Sequence, residues 1–144
     1  MSENFNYKEV PHGYTHCMNE QCPRSAECLR FLVGLHISKE TPTFSQVNPA
    51  YVEEQGECRY FREIRTIRLA FGFKRIFDNL PHKKAEKIRD IIYRHFGRNT
   101  YYRSRSQERP IQPKDQDFIL QTFIKEGIEE APVFEKYIDQ YDWS

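Results

Sequence analysis

The sequence predicts a mainly α-helical α+β fold with a few short β-strands. Apolar residues recur at helical spacing in several stretches, which indicates amphipathic helices. Only 38% of the residues are hydrophobic, but aromatic residues make up 15%, and each buries a large area in a core. The length of 144 residues suits a single compact domain. We divide it into an N-terminal cysteine-bearing segment over 1–58 and a helical core over 59–144.

The N-terminal segment is predicted to hold one helix between irregular stretches. Residues 1–16 read as an arm with a short strand near 14–17. Ser25 is a good N-cap, and the apolar residues that follow it have helical spacing. The predicted helix therefore opens at Ser25, places Cys28 in its first turn, and ends before Thr41-Pro42. A loop over 41–56 and a short strand over 58–62 follow.

The predicted core consists of four helices and one β-like stretch. Apolar spacing predicts a helix over 66–79, weakened by Gly72. The next helix, over 83–96, has the clearest stripe and ends at Gly97. Residues 100–103 have β-like composition. Pro113 suits the first position of a further helix, which Gly127 ends, and a short acidic helix is predicted over 133–141.

The four cysteines give the strongest functional signal. Cys17, Cys22 and Cys28 lie within twelve residues, and Cys58 follows at a distance. Clustered cysteines of an intracellular protein more often bind metal than form disulfides. Thiolates are the ligating species, and a helix N-terminus helps by stabilising their negative charge. We therefore expect Cys17, Cys22, Cys28 and Cys58 to hold a metal centre.

The spacing leaves the identity of the metal open between zinc and a [4Fe-4S] cluster. The first gap, of four residues, is compatible with zinc, and the second is loose for it. A cluster holds its thiolates farther apart, and cysteine followed by proline, as in Cys22-Pro23, recurs among cluster ligands. His12, His16 or His36 could replace one thiolate around zinc. Buried inert thiols and disulfides are the alternatives.

Charge is strongly segregated along the chain. Residues 57–114 hold 16 basic and 6 acidic side chains, whereas residues 115–144 hold 2 basic and 8 acidic ones. A basic stretch with interleaved tyrosines could contact phosphates and stack on bases, and two successive helices followed by a β-like segment suggest a winged helix-turn-helix. The candidate nucleic-acid-binding residues are Arg59, Arg62, Arg65, Arg68, Arg75, Lys83, Lys84, Lys87, Arg94, Arg98, Tyr101, Tyr102, Arg103 and Arg105. Alternatively, the acidic C-terminal third neutralises this surface, or a protein partner contacts it.

No recognised catalytic motif is present in the sequence. It lacks a phosphate-binding glycine loop, a nucleophile elbow and a His-Glu-x-x-His helix, so an enzyme is expected only through the metal or cluster. The first residues lack the basic and apolar pattern of a signal peptide, and no apolar stretch approaches the roughly 20 residues that span a bilayer. We expect a cytoplasmic protein without a membrane partner.

Several short stretches, taken together, resemble a known family. They are His16-Cys17, Cys22-Pro23, Cys28-Leu29-Arg30, Asn48-Pro49, Cys58-Arg59-Tyr60-Phe61, Ala70-Phe71-Gly72-Phe73, Phe96-Gly97 and Tyr101-Tyr102-Arg103. With this pattern the chain is similar to an uncharacterised domain-of-unknown-function family of Bacteroidales over most of its length. The resemblance implies a bacterial intracellular protein and no mechanism.

The combined expectation is a small cytoplasmic, metal-stabilised binding protein. Its basic region over 59–105 would contact nucleic acid. One alternative is a protein-interaction adaptor whose cysteines are structural and whose acidic, tyrosine-rich C-terminal part docks a partner. The other is an iron–sulfur-dependent redox or accessory enzyme.

Overall fold

The computed structural model describes residues 5–51 and 58–144, which contain four α-helices and a two-stranded antiparallel sheet. In chain order the elements are α1 (Leu29–Leu35), β1 (Thr66–Phe71), α2 (His82–Phe96), α3 (Arg98–Arg105), α4 (Pro113–Lys125) and β2 (Lys136–Tyr141). The predicted α+β class is confirmed. Part of the predicted loop over 41–56, namely residues 52–57, lies outside the described residues.

The described residues form two compact units. The cysteine unit comprises the described residues of Met1–Arg65 together with Tyr141–Ser144, and the helical unit comprises Thr66–Gln140. The prediction of one domain over 1–144 stays a prediction. No helix in the described part of the chain has the length and apolar character needed to cross a bilayer.

A small aromatic-rich core stabilises the cysteine unit. Leu29, Leu32 and Val33 of α1 are buried, and aromatic side chains from both ends of the unit pack on them. Among these, Tyr14 and Trp143 meet edge to face at 5.1 Å. Such pairs add to the stabilisation that apolar burial provides. The N-terminal arm and the C-terminal residues therefore share one core.

The predicted helix start at Ser25 is wrong. Ser25–Glu27 form a single 3₁₀ turn, Cys28 is extended with φ −100°, and α1 begins only at Leu29. Cys28 forms an antiparallel bridge with Glu63, and the Leu29 N–H donates to the Arg62 carbonyl at 2.6 Å. These bonds to a distant segment hold Cys28 out of the helix, so it is the N-cap residue rather than part of the first turn.

The helical unit encloses a core of large side chains. Phe73 is fully buried, with the Tyr101 ring at 5.2 Å and the Phe96 ring at 6.3 Å. Buried residues of α2 and α4 complete this core, including Ile88, Ile92, Ile119 and Phe123. The predicted helices over 83–96 and from Pro113 are therefore confirmed, with the apolar stripes facing inward.

Two predicted helices, over 66–79 and 133–141, are wrong. Residues 66–71 and 136–141 form β1 and β2, which pair with each other. Gly72, with φ +78°, ends β1, and turns rather than helix follow it. A short run of apolar residues fits helical and strand spacing alike, and pairing with a partner strand decides between them. Here that partner lies about 70 residues away in the sequence, beyond the reach of any local pattern.

The predicted β-like character of residues 100–103 is also wrong, since they lie in α3. Gly97, with φ +79°, ends α2 and redirects the chain into α3. Tyr101 and Ser104, three residues apart, are both buried. Helical geometry alone places both on one face, so packing overrides the strand preference of Thr and Tyr.

The strands predicted in the N-terminal half are replaced by an isolated bridge and a turn. Near 14–17 there is one bridge, between His16 and Gln46. Residues 59–60 form a turn, in which the Phe61 N–H donates to the Cys58 carbonyl at 3.1 Å. This turn, rather than a strand, carries Cys58.

Adjacent residues of α4 provide a test of the helical packing. Phe123 is 2% exposed and Ile124 is 54% exposed. Phe123→Ala should lower the free energy of unfolding by about 3–5 kcal/mol, because it removes a buried ring and leaves a cavity. Ile124→Ala should cost less than about 1 kcal/mol. Urea unfolding of both variants checks this, and equal losses would contradict the helix orientation.

Candidate metal centre

All four cysteines line one cavity in the cysteine unit. The cavity has a volume of about 40 Å³, and Cys17, Cys22, Cys28 and Cys58 all contribute to its wall. Cys28 is buried and the other three are half-buried. All four are free, so none is in a disulfide. The distant Cys58 therefore lines the same cavity as the three local cysteines.

Arg30 connects the segments that carry the cysteines. Its guanidinium Nε donates to the Tyr60 carbonyl at 2.7 Å, and its Nη1 donates to the Thr15 carbonyl at 2.9 Å. Its own backbone carbonyl accepts from the Cys17 N–H at 3.0 Å. One residue, two positions after Cys28, thus holds both the Cys17 segment and the Cys58 turn.

An Asn-centred turn positions Cys22. The Asn19 side-chain oxygen accepts from the Gln21 N–H at 3.1 Å, and the Asn19 carbonyl accepts from the Cys22 N–H at 3.4 Å. Asn commonly forms such turns because its side chain bonds the backbone two residues on. The Cys22 carbonyl then accepts from the Ser25 N–H at 3.1 Å. The loop between Cys17 and Cys28 is therefore built from local hydrogen bonds.

Gly34 allows the segment that contains Cys17 to lie directly against α1. It is buried in the helix, and a Cβ atom at this position would collide with the Cys17 carbonyl oxygen. A backbone atom cannot move aside as the end of a flexible side chain can. Although glycine weakens a helix by about 1 kcal/mol relative to alanine, here it permits the close approach of Cys17.

The remaining wall of the cavity combines two cations with apolar side chains. Arg24 and Arg30 both line it, and the Arg24 guanidinium lies 3.5 Å from the centre of the Phe61 ring. Phe31, Val47 and Phe61 contribute apolar surface. Four thiolates around one Zn²⁺ carry a net charge of about −2. The two guanidinium groups would supply compensating positive charge to such a centre.

The histidines do not belong to this cavity. His16 bonds the Tyr7 hydroxyl through Nε2 and the Tyr14 carbonyl through Nδ1, and it lines a different cavity together with His12. His36 donates from Nδ1 to the Leu32 carbonyl. Each of the three is absent from the cysteine cavity wall. The replacement of a thiolate by His12, His16 or His36 therefore has no support in the structure.

The positions of the sulfurs bear on the two predicted metals. Within residues 5–51 and 58–144, no group of three or more His, Cys, Asp or Glu side chains lies close enough to hold a single ion. Zinc would require the thiols to draw together. A [4Fe-4S] cluster, which takes one thiolate per iron, would instead require them to enlarge the 40 Å³ cavity.

The candidate nucleic-acid-binding residues are divided between the two units, and acidic groups or carbonyls engage many of them. In the cysteine unit, Arg62 donates to the carbonyls of Ser144, Arg59 and Phe61, and Arg65 donates to Asp142 at 2.7 Å. Hydrogen bonds from Ser144, with a further contribution from Arg65, lower the pKa of Asp142. Arg59 donates to the Tyr51 hydroxyl. The hydrogen bonds of these arginines therefore stabilise the structure of the cysteine unit.

In the helical unit the same pattern continues. The cations paired with acidic side chains are Arg68 with Asp139, Lys87 with Glu126, Arg94 with Asp90, and Arg103 with Glu108. Lys84 donates to the backbone carbonyl of Glu126. Tyr101 is buried and Tyr102 is 53% exposed. Arg105 is half-buried, and Arg75, Lys83 and Arg98 are exposed without an ion pair in the described part of the chain. The acidic C-terminal third contributes several of the partners, as the alternative of internal neutralisation predicts.

Sequence reasoning missed the residues that hold the cysteines in place. Arg30 gave no signal beyond its position close to Cys28, because its two bonds reach carbonyls 15 and 30 residues away. Gly34 lies within the predicted helix, and no sequence pattern indicates its contact with Cys17. Asn19 could have been found, since Asn two residues before a turn residue indicates a side-chain-capped turn.

The role of Arg30 can be measured against Arg24, its neighbour in the cavity wall. Arg30→Lys keeps the charge but loses the forked donors, so it should lower the free energy of unfolding by about 1–3 kcal/mol. Arg24→Lys is the matched control, because Arg24 makes a ring contact and no side-chain hydrogen bond in the described residues. It should cost under about 1 kcal/mol. Equal losses in urea unfolding would show that Arg30 does not tie the segments.

Comparison with known proteins gives one match. No curated protein and no solved structure matches the chain. Residues 1–143 match DUF6078, a family of unknown function, and this range includes all four cysteines and all but the last residue of the two units. The chain belongs to the DUF6078 family.

Proposed function

We propose that the chain is a metal-stabilised protein in which Cys17, Cys22, Cys28 and Cys58 bind one metal centre. The observation that carries the proposal is the cavity wall that all four cysteines share. Three of them come from a loop of twelve residues, and the fourth comes from a turn that Arg30 tethers. A shared site for every cysteine of the chain is what a four-thiolate centre requires.

The proposed centre has a structural role. Cys28 directly precedes α1, and the segments of Cys17 and Cys58 are bonded to Arg30 within that helix. A metal bound by all four thiolates would cross-link the same segments covalently. The cysteine unit has a small core: among its described residues, Leu29, Leu32 and Val33 form the buried apolar cluster. Metal binding contributes directly to folding in units of this kind.

Metal content of protein purified without oxygen tests the proposal. A zinc site should give one zinc per chain, and a [4Fe-4S] cluster should give four irons with matching acid-labile sulfide. Changing any one of the four cysteines to serine should lower the content at least several-fold. His36→Ala serves as the control and should leave it unchanged, because His36 does not line the cavity. Metal-free protein, or cysteine variants with undiminished metal, would overturn the proposal.

Chelation offers a second readout of the same centre. Because a structural metal stabilises only the folded chain, removing it should lower the midpoint of thermal unfolding. The loss should be absent in the four-serine variant, which has nothing to release. An unchanged midpoint in the wild-type protein after complete metal removal would show that the metal does not stabilise the fold.

Nucleic-acid binding through the basic residues of 59–105 is a weaker candidate function. Arg75, Lys83 and Arg98 are exposed and without an ion pair among the described residues, so they remain accessible to phosphate. Paired residues such as Arg65 and Arg68 would have to exchange an existing partner. This candidate requires binding to mixed-sequence DNA or RNA at about 50 mM salt that weakens by about 200 mM. No binding at the lower salt concentration, measured by fluorescence anisotropy, excludes it.

A further inference from the structure

A second cavity in the cysteine unit has the size of a small-molecule site. Its volume is about 480 Å³, within the range of about 300–1,000 Å³ that ligand pockets occupy. It lies between the N-terminal arm and the 41–45 segment. Tyr7, Tyr14 and Phe44 provide aromatic walls. The cavity does not share a lining residue with the cysteine cavity.

His16 gives this cavity a fixed polar wall. It is only 4% exposed and packs against the Phe44 ring at 4.9 Å. A carbonyl only accepts, so the 2.7 Å bond from Nδ1 to the Tyr14 carbonyl places the ring proton on Nδ1. In the tautomer whose one ring proton is on Nδ1, Nε2 is an acceptor, and the Tyr7 hydroxyl, 2.6 Å away, donates to it. The hydroxyl proton of Tyr7 is therefore engaged in the hydrogen bond to His16.

This arrangement specifies what the cavity can offer to a ligand. With its proton engaged, the Tyr7 oxygen presents only lone pairs, and so it accepts from a ligand N–H or O–H. The hydroxyl groups of Thr41, Thr43 and Ser45 add further polar contacts along one side. Among the described residues that line the cavity there is no Asp, Glu, Lys or Arg side chain, and the two histidines are His12 and His16. A charged ligand would therefore find no permanently charged counter-ion among these residues.

We propose that this cavity binds an uncharged, planar ring compound that carries a hydrogen-bond donor. The ring would pack against Phe44 and the tyrosines, and the donor would bond the Tyr7 oxygen. The donor–acceptor polarity follows from the two bonds of His16, and the absence of charge follows from the lining residues. The site is independent of the metal centre.

Benzamide is a suitable probe, because it is flat, neutral and carries an N–H donor. Benzoate has the same ring with a negative charge, and cyclohexanecarboxamide has the same amide without a flat ring. Saturation-transfer NMR on the full chain should show binding of benzamide and at least several-fold weaker binding of the other two. Trp143, the single tryptophan, contacts Tyr14 of the cavity wall, so its fluorescence should also respond to benzamide.

Substitutions in the cavity wall test whether benzamide binds in this cavity. Phe44 is 40% exposed, so Phe44→Ala should fold normally and weaken benzamide binding by about tenfold, as the loss of an aromatic contact predicts. Tyr7→Phe should weaken it similarly by removing the acceptor oxygen. Tyr102→Ala, in the helical unit, is the control and should have no effect. Absent benzamide binding, equal binding of benzoate, or binding indifferent to Phe44→Ala would overturn the proposal.

Discussion

The pair of hydrogen bonds from the Arg30 guanidinium to the carbonyls of Thr15 and Tyr60 is the interaction on which the cysteine unit depends. Both carbonyls belong to irregular segments, which lack the regular hydrogen bonds of a sheet or helix. Bonds from a charged donor are stronger than neutral ones, and only arginine offers two donors in a fixed fork. They add to the backbone bonds from Cys17 to Arg30 and from Leu29 to Arg62, and together these bonds join the Cys17 segment and the Cys58 turn to α1.

Arg30 and the proposed metal would act on the same segments in different ways. The hydrogen bonds of Arg30 set the approximate positions of the cysteines. The close approach at Gly34 sets the distance between the Cys17 segment and α1. A metal centre would then convert placement into covalent cross-links. Arg24 and Arg30 would also balance the negative charge of the thiolates. The arrangement thus combines positioning and charge compensation in residues next to the cysteines.

The sequence predicted the elements that depend on local pattern and missed those that depend on distant pairing. The helices over 83–96 and from Pro113 have long apolar stripes, and both were correct. The strands β1 and β2 differ from the helices expected there, because their pairing is non-local. Ile67 and Phe71, four residues apart, fit both periods, whereas Ile138 and Tyr141, three apart, fit only the helical one. The four cysteines line one cavity, and their clustering in the sequence is the signal that directs attention to it. The tether at Arg30 was not predictable, because no spacing rule connects an arginine to two distant carbonyls.

X-ray absorption at the metal edge tests the central claim most directly, because it reads the atoms bound to the metal in the intact protein. A centre held by Cys17, Cys22, Cys28 and Cys58 predicts an all-sulfur first shell, with metal–sulfur distances near 2.3 Å. The absorbing element, zinc or iron, identifies the centre at the same time. A first shell containing nitrogen or oxygen, or the same spectrum after Cys58→Ser, would contradict a four-thiolate centre.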